Sequence, residues 1–220
     1  MVRTNRISIP EISPPLAYET GFHIGDGSMY IRKEKYEYCV CYYGNKQETE
    51  FYNDVILPLL LKLYSIRPKL KIFKNWCYIR IYSKELVNFK TKTLGLPVGN
   101  KNIMSIPRPL LRCGLELYVI AGIFDADGTV KKLKQNKVYP RIRLTLKNPF
   151  LLVQVKKLLS FYRIHSTLYC DRRWDKRIRK PKLTWDLDIN GFSNVTRFVE
   201  KVPIRNPKHL KLLREVLKST

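Results

Sequence analysis

Residues 120–128 read IAGIFDADG, and residues 19–27 read ETGFHIGDG. Each is an apolar stretch of helical character that ends in Asp-Gly and is followed by a small hydroxyl residue, Ser28 in the first copy and Thr129 in the second. Asp26 and Asp127 are 101 positions apart, and Lys46-Gln47 and Lys147-Asn148 repeat at that separation. Further along, LLKLYSIRPKLKI (60–72) resembles LLSFYRIHSTLYC (158–170) at a separation of 98, and CYIRIYSKELVNF (77–89) parallels WDLDINGFSNVTRF (185–198). A spacing that is constant within blocks and changes once by three is the trace of an internal duplication with one small gap. The chain therefore divides into repeats 1–100 and 101–220, joined by a short linker at about 97–108, PVGNKNIMSIPR.

Both repeats give the same string of elements. A helix leads to the Asp-Gly (about 14–26 and 109–127), with Pro14, Pro15, Pro107 and Pro109 near the starts, where a missing N–H costs nothing. Two strands follow, then an amphipathic helix (about 48–64 and 149–162). Two more strands (about 68–73 and 76–82; 166–171 and 183–190) precede a last helix. The fold class is α+β, two pseudo-symmetric αββαββα repeats. Several strands alternate with period two. Arg141, Arg143 and Thr145 oppose Ile142, Leu144 and Leu146; Trp76, Tyr78, Arg80 and Tyr82 oppose Cys77, Ile79 and Ile81; Asp186, Asp188 and Asn190 oppose Trp185, Leu187 and Ile189. A sheet face of Arg, Tyr, Asp and Asn carries donors and acceptors for base edges. Between the last two strands, DRRWDKRIRKPK (171–182) reads as a long cationic hairpin loop.

Composition narrows the partner. The 220 residues carry 42 Lys and Arg against 18 Asp and Glu, a net charge of +24, spread along the whole chain. A folded chain holds that much self-repulsion where a polyanion gains from it, and nucleic acid is the usual one. No apolar run approaches the roughly 20 residues of a membrane span, and no basic amphipathic helix suited to a membrane surface stands out. The N-terminus, MVRTNRISIPEISPP, lacks a signal-type apolar core, so the expected location is intracellular, cytoplasmic or nucleoid-associated. Five scattered cysteines argue against a disulfide framework, and three histidines away from them argue against structural zinc.

Ala17, Gly21 and Gly25 fall at i, i+4 and i+8 of the first helix, and Gly122 and Ala126 do the same in the second. A mid-helix glycine costs roughly 1 kcal/mol against alanine, so these stripes imply two helix backbones in close approach. Asp26 and Asp127 then lie at helix C-termini, where the macrodipole disfavours anions. Gly27 and Gly128 are expected to end the helices in left-handed conformation. If the helices pair, two carboxylates meet at one end of the bundle, a conflict that a divalent cation resolves. Carboxylate, backbone carbonyl and water form hard oxygen ligation suited to Mg²⁺, and metal beside phosphate suits in-line phosphodiester cleavage. A calcium-loop reading of DADGTV fails, because Val130 and Asn136 stand where glycine and glutamate are needed. His23, unmatched in the second repeat, reads as a packed or capping residue.

IAGIFDADG is a near match to the LAGLIDADG motif and ETGFHIGDG a degenerate one, so the chain resembles a monomeric, two-repeat LAGLIDADG homing endonuclease of the intron-encoded type. The resemblance implies that the last acid of each motif, Asp26 and Asp127, binds metal, with the carbonyls of Gly25 and Ala126 as further ligands. It implies that Gln47 and Asn148 position water, and that Lys46, Lys147, Lys101 and Lys208 are basic residues near the scissile phosphates. Asp125 matches the family's earlier acid, whereas Ile24 holds that place in the first repeat. Mg²⁺ is the expected cofactor, with Mn²⁺ substituting and Ca²⁺ binding without supporting cleavage.

Each repeat of such a protein lays a curved antiparallel sheet along the DNA major groove, the pair forming a saddle that reads on the order of 20 bp. Because the two sheets differ, the target is expected to be asymmetric, and the cut to leave short 3′ overhangs. Lys69, Tyr78, Arg80, Tyr82, Arg141, Arg143, Asp186, Asp188 and Asn190 are the expected groove contacts. Arg32, Lys71, Lys131 and the cluster Arg172, Arg173, Lys176, Arg177, Arg179, Lys180 and Lys182 are expected on phosphates or flanking bases. Double-stranded DNA is thus the expected partner. The alternative is an RNA-binding splicing maturase on the same scaffold, with intron RNA as partner; such relatives can lose their acids, and both are present here. A transcriptional regulator of this type usually carries an added helix-turn-helix domain, for which the repeats leave no spare length.

Overall fold

The structure, a computed structural model, describes residues 7–131, 139–175 and 179–218. Its backbone contacts divide it into two compact units: 1–101 with 106–126, and 102–105 with 127–220.

The first unit opens with α1 (Pro14–Asp26), whose two prolines occupy the opening turn. The chain passes directly into the hairpin β1 (Gly27–Arg32) and β2 (Glu37–Asn45). A helical run, α2 (46–64), begins with the 3₁₀ turn Lys46–Glu48 and widens to a π segment at Tyr52–Ile56 before Leu57–Tyr64. Pro58 lacks the N–H that would continue an i→i−4 ladder, which is consistent with the widened turn just before it. Strands β3 (Leu70–Ile72) and β4 (Trp76–Tyr82) complete an antiparallel sheet of order β1-β2-β4-β3. The helix α3 (84–93) follows, capped by the Ser83 hydroxyl on the Leu86 amide. Leu16, Phe22, Val40, Tyr42, Phe51, Leu60, Ile79 and Ile81 form the core between α1, α2 and one face of this sheet.

The single helix expected at 109–127 is two, α4 (Arg108–Arg112) and α5 (Glu116–Asp127). Gly114 sits between them at φ +66°, a left-handed position that breaks a helix and favours glycine. Within the first unit α5 crosses α1 at glycine. A Cβ on Gly21 would lie 2.0 Å from the Val119 carbonyl oxygen, and one on Gly122 would lie 2.1 Å from that of Tyr18. The close approach inferred from the glycine stripes is thus built on Gly21 and Gly122.

In the second unit β5 (Gly128–Lys131) continues from α5 and pairs with β6 (Arg141–Leu146). The helix α6 (Pro149–Phe161), the long hairpin β7 (Thr167–Asp175) and β8 (Lys180–Asn190), then α7 (Phe192–Lys201) and α8 (Pro207–Lys218) complete it. The sheet order is β5-β6-β8-β7, the same as in the first unit. Segment 171–182 is therefore mostly strand rather than loop. Arg172 pairs with Leu183 and Arg173 with Lys182 in the ladder. Arg179 is exposed at the turn; Lys176 and Arg177 lie outside the described residues.

Two further expectations are corrected. Gly27 has φ −79° and ψ 158°, extended rather than left-handed; its glycine is required because a Cβ would meet the buried His23 ring at 2.3 Å. Gly128 likewise opens a strand, in register with Leu144. The register also moves the equivalence of the repeats by one. Gly27 faces Tyr42, whereas Gly128 faces Leu144, so the second hairpin is one residue longer. By ladder position Asn148 corresponds to Lys46, and Gln47 corresponds to Pro149.

Candidate nucleic-acid interface and metal-binding helix ends

Each motif helix hands its last residue to the first strand of a sheet. Asp26 is followed at once by β1 and Asp127 by β5, and both aspartates are half-buried. This chain continuity roots each acid at the edge of a sheet whose other face is packed. Asp26 lies in a negative neighbourhood of the first unit. Burial foremost, then the charges of Asp26 and Glu48, hold the Tyr52 hydroxyl and the Cys77 thiol above their ordinary pKa values. Glu48 is fixed by accepting from the Asn45 amide at 2.8 Å. Among the described residues no three His, Cys, Asp or Glu side chains gather into a metal cluster.

The C-terminal end of α1 nonetheless draws a cation. The Lys101 ammonium donates to the carbonyls of Ile24, Gly25 and Gly27 at 2.8, 2.6 and 2.7 Å. Three donors on three carbonyls satisfy the helix end and complement its dipole. The oxygen-rich, negatively polarised end of α1 is thus served by a cation of the chain itself, and Asp26 is the last residue of that helix. Lys101, expected near the phosphates, holds this end together. The carbonyl of Gly25, an expected metal ligand, is one of its acceptors. His23 is buried and held well below its ordinary pKa, by burial first and then by Lys90 and Lys101, so it packs as a neutral ring.

The remaining expected site residues separate by environment. Lys46 and Gln47 are exposed on the first turn of α2, and Lys147 and Lys208 are exposed in the second unit. Asn148 is buried. Its carbonyl oxygen caps α6 by accepting from the Leu151 amide at 3.2 Å, and its amide donates to the Met104 carbonyl at 2.6 Å. Both ends of that side chain are thus engaged by the fold.

On the second sheet, Asp186 and Asp188 are 0 % and 3 % exposed. They lie under Arg143, which donates from Nε and Nη2 to Asp188 at 2.7 and 2.8 Å and from Nη1 to Asp186 at 3.0 Å. Thr145 donates to Asp186 at 2.5 Å, and the Tyr169 hydroxyl to Asp188 at 3.0 Å. Arg141 donates from Nε to Asn190 at 2.7 Å. The two carboxylates, expected as base contacts, instead set the orientation of Arg143, whose side chain is 16 % exposed. Arg141, Lys131 and Arg172 are exposed.

On the first sheet, Lys69, Lys71 and Arg80 are exposed, and Tyr78 and Tyr82 lie between them. Arg67, Lys69, Lys71, Tyr78, Arg80 and Tyr82 line a cationic cleft of about 300 Å³. Arg32 is exposed at the end of β1, where it meets Glu37 at 3.4 Å. Sequence reasoning missed the row of rings beside this cleft. It also missed a buried ion pair under α1. There Lys90 donates to both Glu19 oxygens at 2.8 Å, Tyr64 donates to Glu19 at 2.7 Å, and Tyr42 donates to it as well. Glu19 and Lys90 are 71 residues apart, so no local pattern announces them.

Each of two glycine-bearing helices ends in an acid and opens a four-stranded antiparallel sheet, and residues 114–203, which include the second of them, match the model of LAGLIDADG-like domains. The chain as a whole has the fold of the LAGLIDADG homing endonucleases. The structure of I-DmoI in complex with DNA and Ca aligns with a TM-score of 0.63 and 22% identity, covering 93% of this chain and 98% of that one. That of I-GzeII in complex with its DNA target aligns at 0.55 with 13% identity, covering 94% and 90%. In sequence, the chain is 29% identical over 151 residues to the ATP-dependent DNA helicase Hel308 of Methanocaldococcus jannaschii, 63% of this chain and 12% of that protein. It is 28% identical over 124 residues to a DNA polymerase of Thermococcus hydrothermalis, 56% of this chain and 7% of that protein. The chain thus spans about a tenth of the length of these relatives. No helix among the described residues is long and apolar enough to cross a membrane.

Proposed function

We propose that the chain is a site-specific, double-strand DNA endonuclease that reads a long asymmetric target through the major groove and leaves short 3′ overhangs, acting as a monomer. The observation that carries this reading is the direct passage from Asp26 into β1 and from Asp127 into β5, which ties each acid to a sheet with a cationic outer face. Asp26 and Asp127, with the carbonyls of Gly25 and Ala126, would hold Mg²⁺, with Mn²⁺ as substitute and Ca²⁺ as a non-productive ligand. When bound there, the divalent ion supplies charge neutralisation at the phosphate and lowers the pKa of attacking water.

The chain's own residues position the duplex. Lys69, Lys71, Arg80, Arg141 and the arm bearing Arg172 and Arg179 neutralise the backbone, so affinity falls steeply with salt. Arg143, whose Nε, Nη1 and Nη2 are engaged by Asp188, Asp186 and Tyr169, orders this face of the second sheet and adds positive charge to it. Gln47, exposed on the first turn of α2, would hold water, and Lys46 adds positive charge at the same turn.

The test begins with selection of a target from a randomised duplex library. With Mg²⁺, Asp26→Asn or Asp127→Asn is expected to lower cleavage of the selected target at least 10³-fold while Kd measured with Ca²⁺ changes less than about fivefold. Undiminished cleavage by either variant overturns the assignment of the acids.

A further inference from the structure

The outer face of the first sheet carries a row of aromatic rings. Tyr43 on β2 stands opposite Tyr78 on β4 in the ladder, with Lys71 of β3 on its other side. Trp76 stacks on Tyr78 with centroids 5.2 Å apart. Phe73, in the turn before β4, stacks on Trp76 at 4.5 Å with planes 10° apart and reaches Tyr78 at 5.7 Å. Tyr43 closes the group on Tyr78 at 5.9 Å. Phe73, Trp76 and Tyr43 are 45 %, 40 % and 38 % exposed, which is unusual for a packed cluster of large rings. Arg80 lies 4.6 Å over the Tyr78 ring and Lys71 5.9 Å from it, so the apolar row runs straight into the cationic cleft.

Geometry selects what such a surface can touch. A platform for unpaired bases needs open ring faces. Here Phe73, Trp76 and Tyr78 lie 4.5–5.7 Å apart with planes within 23° of parallel, so part of their face area is turned to one another. An apolar ridge bordered by cations matches a major-groove floor bearing methyl groups between two phosphate strands, and the C5-methyl of thymine is the apolar mark of that groove.

We propose that Phe73, Trp76 and Tyr43 form a thymine-methyl-reading ridge that sets sequence preference at one end of the target half bound by the first sheet. The inference rests on the DNA-recognition reading above and adds its ligand chemistry. The cations beside the ridge hold phosphates, while the rings discriminate a methylated pyrimidine from an unmethylated one.

The test is a thymine-to-deoxyuridine scan of the target selected from random duplexes, read as Kd in Ca²⁺ with unaltered protein. Two or three neighbouring positions in one half-site are expected to lose roughly fourfold each on removal of the methyl. Trp76→Ala or Phe73→Ala is expected to bring the thymine-to-uracil ratio at those positions to about one, with Trp76→Leu as the variant that keeps the sheet covered. A scan in which no position responds overturns the ridge while leaving DNA recognition intact. So does a response that survives Trp76→Ala and Trp76→Leu, or a Trp76→Ala loss confined to single-stranded oligonucleotides. Failure to enrich any duplex sequence overturns the DNA reading itself and the ridge with it.

Discussion

The Tyr18 hydroxyl donates a 2.6 Å hydrogen bond to Oδ2 of Asp125, joining α1 to α5 within a buried environment. It lies beside the crossing where Gly122 meets the Tyr18 carbonyl, so one residue of α1 contacts α5 through both backbone and side chain. A hydrogen bond to a charged group contributes about 1.5–3 kcal/mol. Tyr18→Phe is expected to lower the thermal midpoint by roughly 3–12 °C, at about 2–4 °C per kcal/mol for a chain of this size. An unchanged midpoint in a calorimetric scan would refute a structural role for Asp125.

Glycine at the crossing is required by space. Gly21→Ala and Gly122→Ala each place a methyl about 2 Å from a backbone oxygen, where no side chain can move aside. Each is expected to cost about 3 kcal/mol or more, read as a shifted urea midpoint. Gly114→Ala, at φ +66° in open space, is strained by backbone conformation alone and is expected to cost about 1–2 kcal/mol.

The Glu19–Lys90 pair is buried on both sides, at 1 % and 0 % exposure. Removing one partner leaves an uncompensated charge, so Lys90→Met alone is expected to cost about 3–5 kcal/mol, and Glu19→Leu with Lys90→Met together much less. A double-mutant cycle showing additive losses would contradict this.

Alkaline stability follows from the same cluster. Burial first, then the Glu19 charge, raises the Tyr42 and Tyr64 pKa values well above 10. Above pH 10 the unfolded tyrosines release protons that the folded state keeps, so stability falls as pH rises through that range. Lys90 acts oppositely, because burial lowers its folded pKa below 10.5. With two tyrosines against one lysine, the urea midpoint is expected to decline above pH 10, and Tyr42→Phe with Tyr64→Phe to flatten the decline. A midpoint rising through pH 11 would count against it.

Asn148 separates capping from catalysis. As the cap of α6 it is expected to cost about 1–2 kcal/mol of stability on replacement by Ala, with Asn148→Asp keeping the cap. If Asn148→Ala lowered kcat at full stability, the water-positioning expectation would stand instead.

The sequence alone determined the two repeats, the bounds of α1, the alternation of β4, β6 and β8, and the two acids. These follow from local causes: prolines opening a helix, periods of 3.6 and 2, and a spacing left by duplication. The pairing register was not legible, because one extra residue in a hairpin changes which side chains face each other without altering any local pattern. That single residue put Asn148 in the place of Lys46. Nor could the sequence reveal that Asp186 and Asp188 lie under Arg143, that Lys101 sits on the carbonyls of α1, or that Phe73 and Tyr43 join Trp76. The contacts of Arg143 with Asp186 and Asp188, and of Tyr43 with the rings on β4, are meetings of distant residues fixed by sheet order β5-β6-β8-β7 and β1-β2-β4-β3, where the third and fourth strands exchange places; Lys101 reaches α1 from 74 or more residues away by a tertiary contact outside the sheets.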